Sequence, residues 1–251
     1  MTGKAIPAAT VIVMRDRRHG APEILMVERS RAMVFAGGAL VFPGGRIDPG
    51  DHALATMFAP ADTDEAAARI AAIRETLEEA GIAIGLDPYP SPDTLAAIRA
   101  GLHAGEAFGK RLVDAGITLH PDLLVPFSRW LPAHHTTRIF DTRFYLAALS
   151  GRAGAATVDH TENVRLIWTT AADILAQAAR GEATLIFPTR RNLERLALFG
   201  SFAEAVAHAR AHPVRTITPV IERRGGSDHI CIPEGLGYPI TSEPLNTADR
   251  G

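Results

Sequence analysis

Cysteine is nearly absent. Cys231 is the only one in 251 residues, so an internal disulfide is excluded, and with no basic neighbourhood to lower its pKa the thiol reads as inert. Lysine is confined to Lys4 and Lys110. No acidic or basic block occurs and the formal charge is only −2, which argues against bulk attraction to nucleic acid or an anionic membrane. The opening stretch MTGKAIPAATVIVMRD lacks the unbroken apolar run of a signal peptide or membrane span, so the expected location is the cytoplasm. No internal repeat or low-complexity tract is seen. A chain of this length with 47% hydrophobic residues buries one substantial core, as one large domain or a domain with insertions.

What is present begins with a sheet. ATVIVMRD (9–16) and EILMVER (23–29) are rich in β-branched and aliphatic residues around the polar turn RRHGAP and read as a strand pair. VFAGGALVFPGGRIDPGD (34–51) interrupts a short apolar strand with Gly37, Gly38, Gly44, Gly45, Gly50, Pro43 and Pro49, a loop governed by backbone geometry, with Phe42 assigned to the core. From about Asp62 to Ala80 the pattern is helical, with Asp62 as cap, Glu65 three positions on and Gly81 as a left-handed stop. Residues 93–116 suggest two further helices. LLVPFSRW and TRIFDTRFYLAAL read as strands, then NVRLIWTT (163–170) as a strand and AADILAQAARG as a helix. TRRNLERLALFG and SFAEAVAHARAH are two more helices and VRTITPVIER is a last strand. The tail beyond about residue 225 reads as only loosely ordered.

The stretch RETLEEAGI (74–82) sets three glutamates at the end of a helix. At 100° per residue Glu75, Glu78 and Glu79 share an arc of about 100°, while Ala66, Ile70, Ile73, Leu77 and Ala80 cluster opposite. The last turn of a helix favours cations by roughly 0.3–1 kcal/mol each, and like charges at this spacing repel. Arg74 neutralises part of the excess, but one guanidinium cannot balance three carboxylates, so a hard divalent cation with oxygen ligands, Mg2+ or Mn2+, is the expected complement. A solvated acidic face is the plainer alternative.

GGRIDPGD followed by RETLEEAGI resembles the Nudix box, G-x5-E-x7-R-E-U-x-E-E-x-G-U, where U is a bulky aliphatic residue. Gly45 opens it, and Arg74, Glu75, Glu78, Glu79, Gly81 and Ile82 match its second half. Asp51 stands in place of the first glutamate, Thr76 replaces an aliphatic residue, and the interval 52–73 holds 22 residues where the pattern has seven. The excess is expected to loop out before the helix, since closure cost grows slowly with loop length. RSRAMVFAGGALVFPGGRID further resembles Nudix coenzyme A diphosphatases, and the interrupted box, the RW-to-FDTRFYLA segment and PTRRNLERLA resemble the subgroup with the peroxisomal enzyme, although no C-terminal peroxisomal address is present.

The resemblance implies an α+β fold, a Nudix α/β/α sandwich with a mixed central sheet and a helical insertion. It spans residues 1–225 as a single domain, with insertions at about 52–63 and 93–116 and a C-terminal tail at 226–251. It implies hydrolysis of a nucleoside diphosphate linked to another moiety, with coenzyme A or an acyl-coenzyme A favoured. Glu75 and Glu79 would be the principal Mg2+ or Mn2+ ligands, with Glu78 a further ligand and the Gly45 carbonyl a backbone one. Arg74 would hold the glutamates in register through paired hydrogen bonds. Glu162, just before NVRLIW, is a candidate for the general base and a further metal position. Arg29, Ser30, Gly44 and Arg46 are candidate substrate contacts around the glycine loop. His134 and His135 read as loop residues, and Asp141 and Arg143, on one side of a strand, as a mutual pair.

Two alternatives stay open. ADP-ribose and NADH offer the same linkage. A Nudix-derived nucleotide-sensing transcription regulator finds a foothold in the arginines of RRNLERLALFGSFAEAVAHARAHPVRTITP, against the near-neutral charge and the intact glutamates. The expected partner is a small nucleotide-diphosphate substrate, with neither nucleic acid nor membrane; a homodimer is a candidate assembly.

Overall fold

The computed structural model describes residues 5–33, 36–59, 61–132, 139–149, 157 and 163–245. The chain opens with β1 (Ile6–Arg15), β2 (Glu23–Arg29), β3 (Leu40–Val41) and β4 (Gly44–Arg46), then α1 (Pro49–Ala55) and α2 (Thr63–Ala80). β5 (Leu86–Asp87), α3 (Pro92–His103), α4 (Phe108–Asp114) and β6 (Thr118–Leu119) follow, then β7 (Val125–Trp130), β8 (Phe140–Ala148) and β9 (Asn163–Thr170). The rest is α5 (Ala171–Ala179), α6 (Phe187–Leu196), α7 (Phe202–Ala211), β10 (Thr216–Ile217), β11 (Val220–Arg224), β12 (Ser227–Cys231) and β13 (Ser242–Pro244).

Eight strands form one mixed sheet in the order β10-β7-β8-β1-β2-β3, with β4 also on β1 and β9 also on β2. β1 runs parallel to β8 and antiparallel to β2 and β4. Two-residue periodicity sends alternate side chains of each central strand to opposite faces. Val11, Val13, Leu25, Tyr145 and Ala147 meet α2, α3 and α4 on one side. Ile12, Met14, Ile24, Met26, Phe144 and Leu146 meet α5, α6 and α7 on the other. Covered on both faces, β1 and β2 read as nearly unbroken apolar runs, and each fully buried aliphatic side chain contributes about 1.5–3 kcal/mol. The result is an α/β/α sandwich with a mixed central sheet.

Helix α2 begins and ends where its caps place it: the Asp62 carboxylate accepts from Glu65 N at 3.2 Å, and Gly81 is left-handed at φ 64°. Its packing is more complete than a two-faced helix would give. Besides Ala66, Ile70, Ile73, Leu77 and Ala80, the opposite side buries Ala67, Ala71, Arg74 and Glu79. Thr76, in an aliphatic position of the box, is fully buried and donates its hydroxyl to Ala72 O at 2.7 Å, which satisfies it locally.

Three expectations change. The inserted interval is not simply a loop, because α1 occupies its start, with Pro49 in the first turn and Asp51 accepting from Asp48 N at 2.8 Å. VRTITPVIER divides at Pro219 into β10, on the large sheet, and β11, in a separate sheet β11-β12-β13. Residues 226–245 are accordingly ordered: Ile230, Cys231, Ile232 and Tyr238 are buried, and the boundary at 226 falls in the turn between two strands of one sheet. No helix among the described residues is long and apolar enough to cross a membrane.

Candidate active site

The site lies where α2 crosses β4. β4 pairs with β1 through Thr10↔Gly44, Ala9↔Gly45 and Ala8↔Arg46, and both glycines are there for want of space. A Cβ at Gly45 would fall within the Glu75 carboxyl, and one at Gly44 would strike the Ala9 carbonyl and Thr10. Glu79 turns to the same strand, accepting from Gly44 N at 2.9 Å. Glu75 and Glu79, one turn apart on α2, therefore face the glycine pair together.

Arg74 is held differently from expectation. Its paired hydrogen bonds go to Asp51, Nε to Oδ1 at 3.0 Å and Nη2 to Oδ2 at 2.9 Å. A single bond from Nη1 reaches Glu75 Oε1 at 2.9 Å, and Nη2 also donates to Arg46 O at 3.0 Å. Asp51 is 2% exposed; it stands where the Nudix pattern has glutamate and supplies the carboxylate that anchors the arginine. Burial alone would lower the Arg74 pKa, but the Asp51 hydrogen bonds and the charges of Glu75, Asp51 and Asp48 raise it above its ordinary value.

Burial pushes the Glu75 carboxyl up to about 7, with the Glu78 charge adding to the rise and Arg74 opposing it. Burial also drives Glu79 up to about 8, reinforced by the Glu75 charge, while hydrogen bonds from Asn163 and Gly44 and the Arg29 charge pull the other way. Two desolvated carboxyls that repel each other are a pair that either a proton or a cation would stabilise. Glu78 lies 3.5 Å from Arg74 Nη1, the atom that also bonds Glu75, and 3.7 Å from His103 Nδ1. Among the described residues no three His, Cys, Asp or Glu side chains converge on one point as a ready metal cage. Glu75 and Glu79, the expected principal ligands, thus face the glycine strand together, while Glu78, expected as a further ligand, shares Arg74 Nη1 with Glu75 and also approaches His103. The pair's oxygen donors and raised pKa values fit a hard divalent ion.

A cavity of about 560 Å³ opens beside Glu75, with Glu79 buried behind its lining. Its lining includes Arg29, Gly44, Gly45, Arg46 and Glu75 together with the apolar Phe42, Trp130, Phe140, Phe144, Ile186 and Pro188. Ser30 is not in the lining; its hydroxyl accepts from Ala32 N at 3.4 Å in the adjoining turn. Glu162, His134 and His135 lie outside the described residues. Asp141 and Arg143 do not pair with each other: Asp141 receives two bonds from Arg129, at 2.8 and 2.6 Å, and Arg143 donates to Asp64 O at 3.1 Å.

Sequence reasoning missed Asn163, fully buried at the start of β9 with its side chain on Glu79, and no local pattern marks it. It also read Trp130, Phe140 and Phe144 only as parts of strands. β7 and β8 pair antiparallel with a register shift between Pro126 and Ser128, and that pairing brings the aromatics into one cavity lining.

Residues 4–99 match the NUDIX domain model. A solved NUDIX hydrolase from Alicyclobacillus acidocaldarius shares 29% identity over 82% of this chain and 97% of that one, with a TM-score of 0.72. The acyl-coenzyme A diphosphatase NUDT19 of Gallus gallus is 28% identical; the match covers 71% of this chain and 62% of that protein, so the chain spans less than two thirds of that relative's length. A C. elegans Ap4A hydrolase, at 20% identity over 70% of this chain and 87% of that one, has a TM-score of 0.40, too low to carry an argument. The domain match spans the glycine strand and glutamate helix, and the fold is shared with a solved NUDIX hydrolase, so residues 4–99 carry a NUDIX domain and the chain as a whole is similar to Nudix hydrolases.

Proposed function

We propose that this protein hydrolyses the diphosphate linkage of coenzyme A or an acyl-coenzyme A in a reaction that depends on Mg2+ or Mn2+. One observation carries the reading: a single cavity is lined both by the glycine strand with Glu75 and by aromatic and aliphatic side chains. The first part suits a diphosphate held through a cation, and the second an apolar arm or a base. The chicken relative's name points to the same substrate class.

A bound divalent ion would neutralise a diphosphate and polarise a phosphoryl oxygen. Glu75 and Glu79 would hold it, beside the Gly44–Gly45 backbone. Arg74, anchored on Asp51, keeps Glu75 oriented through one hydrogen bond. Arg29 and Arg46, both on the cavity wall, are placed to meet phosphate oxygens. Glu162 stays a proposal for the general base.

ADP-ribose and NADH present the same linkage, and the aromatic wall would stack a nucleobase as readily as it would line an apolar arm. The regulator reading is weakened but not removed: Arg191 and Arg195 of α6 are both 1% exposed, while Arg210 and Arg215 of the same segment are exposed. Arg191 pairs with Glu194 and Glu243, and Arg195 donates to Phe127 O, so neither is presented to DNA.

The test is a panel of coenzyme A, acyl-coenzyme A, ADP-ribose, NADH and a diadenosine polyphosphate, with Mg2+ or Mn2+, analysed for phosphorylated products. Coenzyme A compounds should rank first in kcat/KM, and Glu79→Gln should abolish turnover without loss of fold. A higher rank for ADP-ribose or NADH would reassign the substrate, and no turnover of any member by metal-loaded protein would overturn the reading.

A further inference from the structure

The last turn of α2 carries Glu78 and Glu79 and no basic residue. Its four terminal carbonyls, and the negative end of the helix dipole, must therefore find partners elsewhere. Leu77 O accepts from Gly81 N at 2.9 Å and Ala80 O from Thr157 N at 3.0 Å. The two between them share one guanidinium: Arg99 Nε donates to Glu78 O at 2.7 Å and Nη2 to Glu79 O at 3.0 Å. Arg99 stands on α3, in the stretch read from sequence as an insertion. It also bonds Thr157, Nη1 to Oγ1 at 2.7 Å and Nη2 to the carbonyl at 2.8 Å. The close approach depends on Gly81, where a Cβ would lie 3.0 Å from Thr157 Oγ1 and 3.3 Å from Arg99 Nη1. The glycine that stops the helix also leaves room for the clamp.

We propose that Arg99 is a positioning residue for the candidate cation site: its planar fork fixes the peptide units from which Glu78 and Glu79 project, and so sets the affinity of the glutamate pair for a divalent ion. The proposal rests on the reading that Glu75 and Glu79 hold such an ion. Lysine would be a poor substitute, because a single ammonium offers no fixed pair of parallel donors to two successive carbonyls.

Two effects of Arg99 act in opposite directions, and this makes the proposal decidable. As a fixed positive charge near the helix end it repels an incoming cation, so on charge alone its removal would tighten binding. As a clamp it orders the backbone beneath the ligands, so its removal loosens their geometry and weakens binding, and groups that orient metal ligands are typically worth roughly tenfold or more in affinity. The bonds at 2.7 and 3.0 Å to adjacent carbonyls favour the second effect.

The experiment is calorimetric titration of Mn2+ into chelator-stripped full-length protein at a temperature well below every variant's melting point. Wild type, Glu79→Gln, Arg99→Leu and Arg99→Lys are compared. Simple loss of stability leaves the dissociation constant of the folded protein unchanged there. Arg99→Leu should bind Mn2+ roughly tenfold more weakly, with Arg99→Lys between it and wild type. Affinity equal to or tighter than wild type in Arg99→Leu would overturn the proposal, and if that variant does not fold, unchanged affinity in Arg99→Lys would do so. Absence of Mn2+ binding by wild type, or its persistence in Glu79→Gln, would instead remove the cation reading beneath it.

Discussion

Replacing Asp51 with asparagine should destabilise the protein by about 3 kcal/mol, the lower end of the range for breaking a buried ion pair by removing one partner. The geometry sets the sign. Asp51 is 2% exposed and the Arg74 side chain 10%. Oδ1 accepts from Arg74 Nε, and Oδ2 from both Arg74 Nη2 and Asp48 N. An amide has one acceptor oxygen, so either orientation turns its NH2 group against a donor, and the buried guanidinium loses its paired anion. The lower end of the range applies because Arg74 keeps Glu75 and the Arg46 carbonyl. At about 2–4 °C per kcal/mol for a chain of this size, the melting temperature should fall by roughly 6–12 °C.

Urea unfolding at neutral pH, with a thermal scan as a second readout, measures the change. Asp51→Glu, which restores the pattern's residue and keeps the charge, should cost less than Asp51→Asn, its penalty being one extra methylene in a filled site, about 1–3 kcal/mol. A double-mutant cycle of Asp51→Asn with Arg74→Met should show a coupling of at least about 1 kcal/mol. An Asp51→Asn variant within about 1 kcal/mol of wild type, with negligible coupling, would refute the view that this pair anchors the glutamate helix.

Other perturbations probe separate parts of the molecule. Tyr238→Phe removes a hydroxyl that accepts from Trp130 Nε1 at 3.2 Å and donates to Asn192 Oδ1 at 2.8 Å, so chemical denaturation should show a loss of about 1–3 kcal/mol; a change below about 0.5 kcal/mol would mean that these bonds add nothing to the cavity wall. Burial raises the Glu194 carboxyl from 4.5 to about 7, so the folded state holds its proton more tightly than the unfolded one. Its contribution to stability is full below about pH 4.5 and is lost as pH rises through about 7; Glu194→Gln should flatten that part of the stability–pH curve, and an unchanged slope would count against it. Gly45→Ala should leave the melting temperature within a few degrees of wild type yet abolish divalent-dependent hydrolysis, because the new methyl group displaces the Glu75 carboxyl; full turnover would dismiss the glycine strand as the partner of the helix.

What the sequence makes legible is what depends on near neighbours. The bounds of α2 follow from Asp62, Glu65 and Gly81 at its two ends, and the first strands from runs of β-branched and aliphatic residues. The glycine pair and glutamates are recognisable because box spacing ties them together even across an enlarged interval. What it hides depends on contacts between distant segments. Asn163 reaches Glu79 from 84 positions away. The order of the tail rests on Tyr238 meeting Trp130, which no composition rule for a glycine- and proline-rich segment foresees.

Helix α2 shows how the two kinds of information meet. Its carboxylates look unfavourable by local rules, with like charges in a turn that prefers cations. In the fold the excess divides between two sets of partners. Asp51 anchors Arg74 beside Glu75, while Arg99 and Thr157 satisfy the carbonyls behind Glu78, Glu79 and Ala80. The helix end is thereby stabilised through its backbone, and the Glu75 and Glu79 carboxyls stay close, desolvated and raised in pKa. A chain that satisfied those carboxylates with lysines in the same turn would be more stable locally and would leave nothing for a cation to neutralise. The local frustration at 74–82 is therefore confined to the atoms on which the proposed chemistry depends.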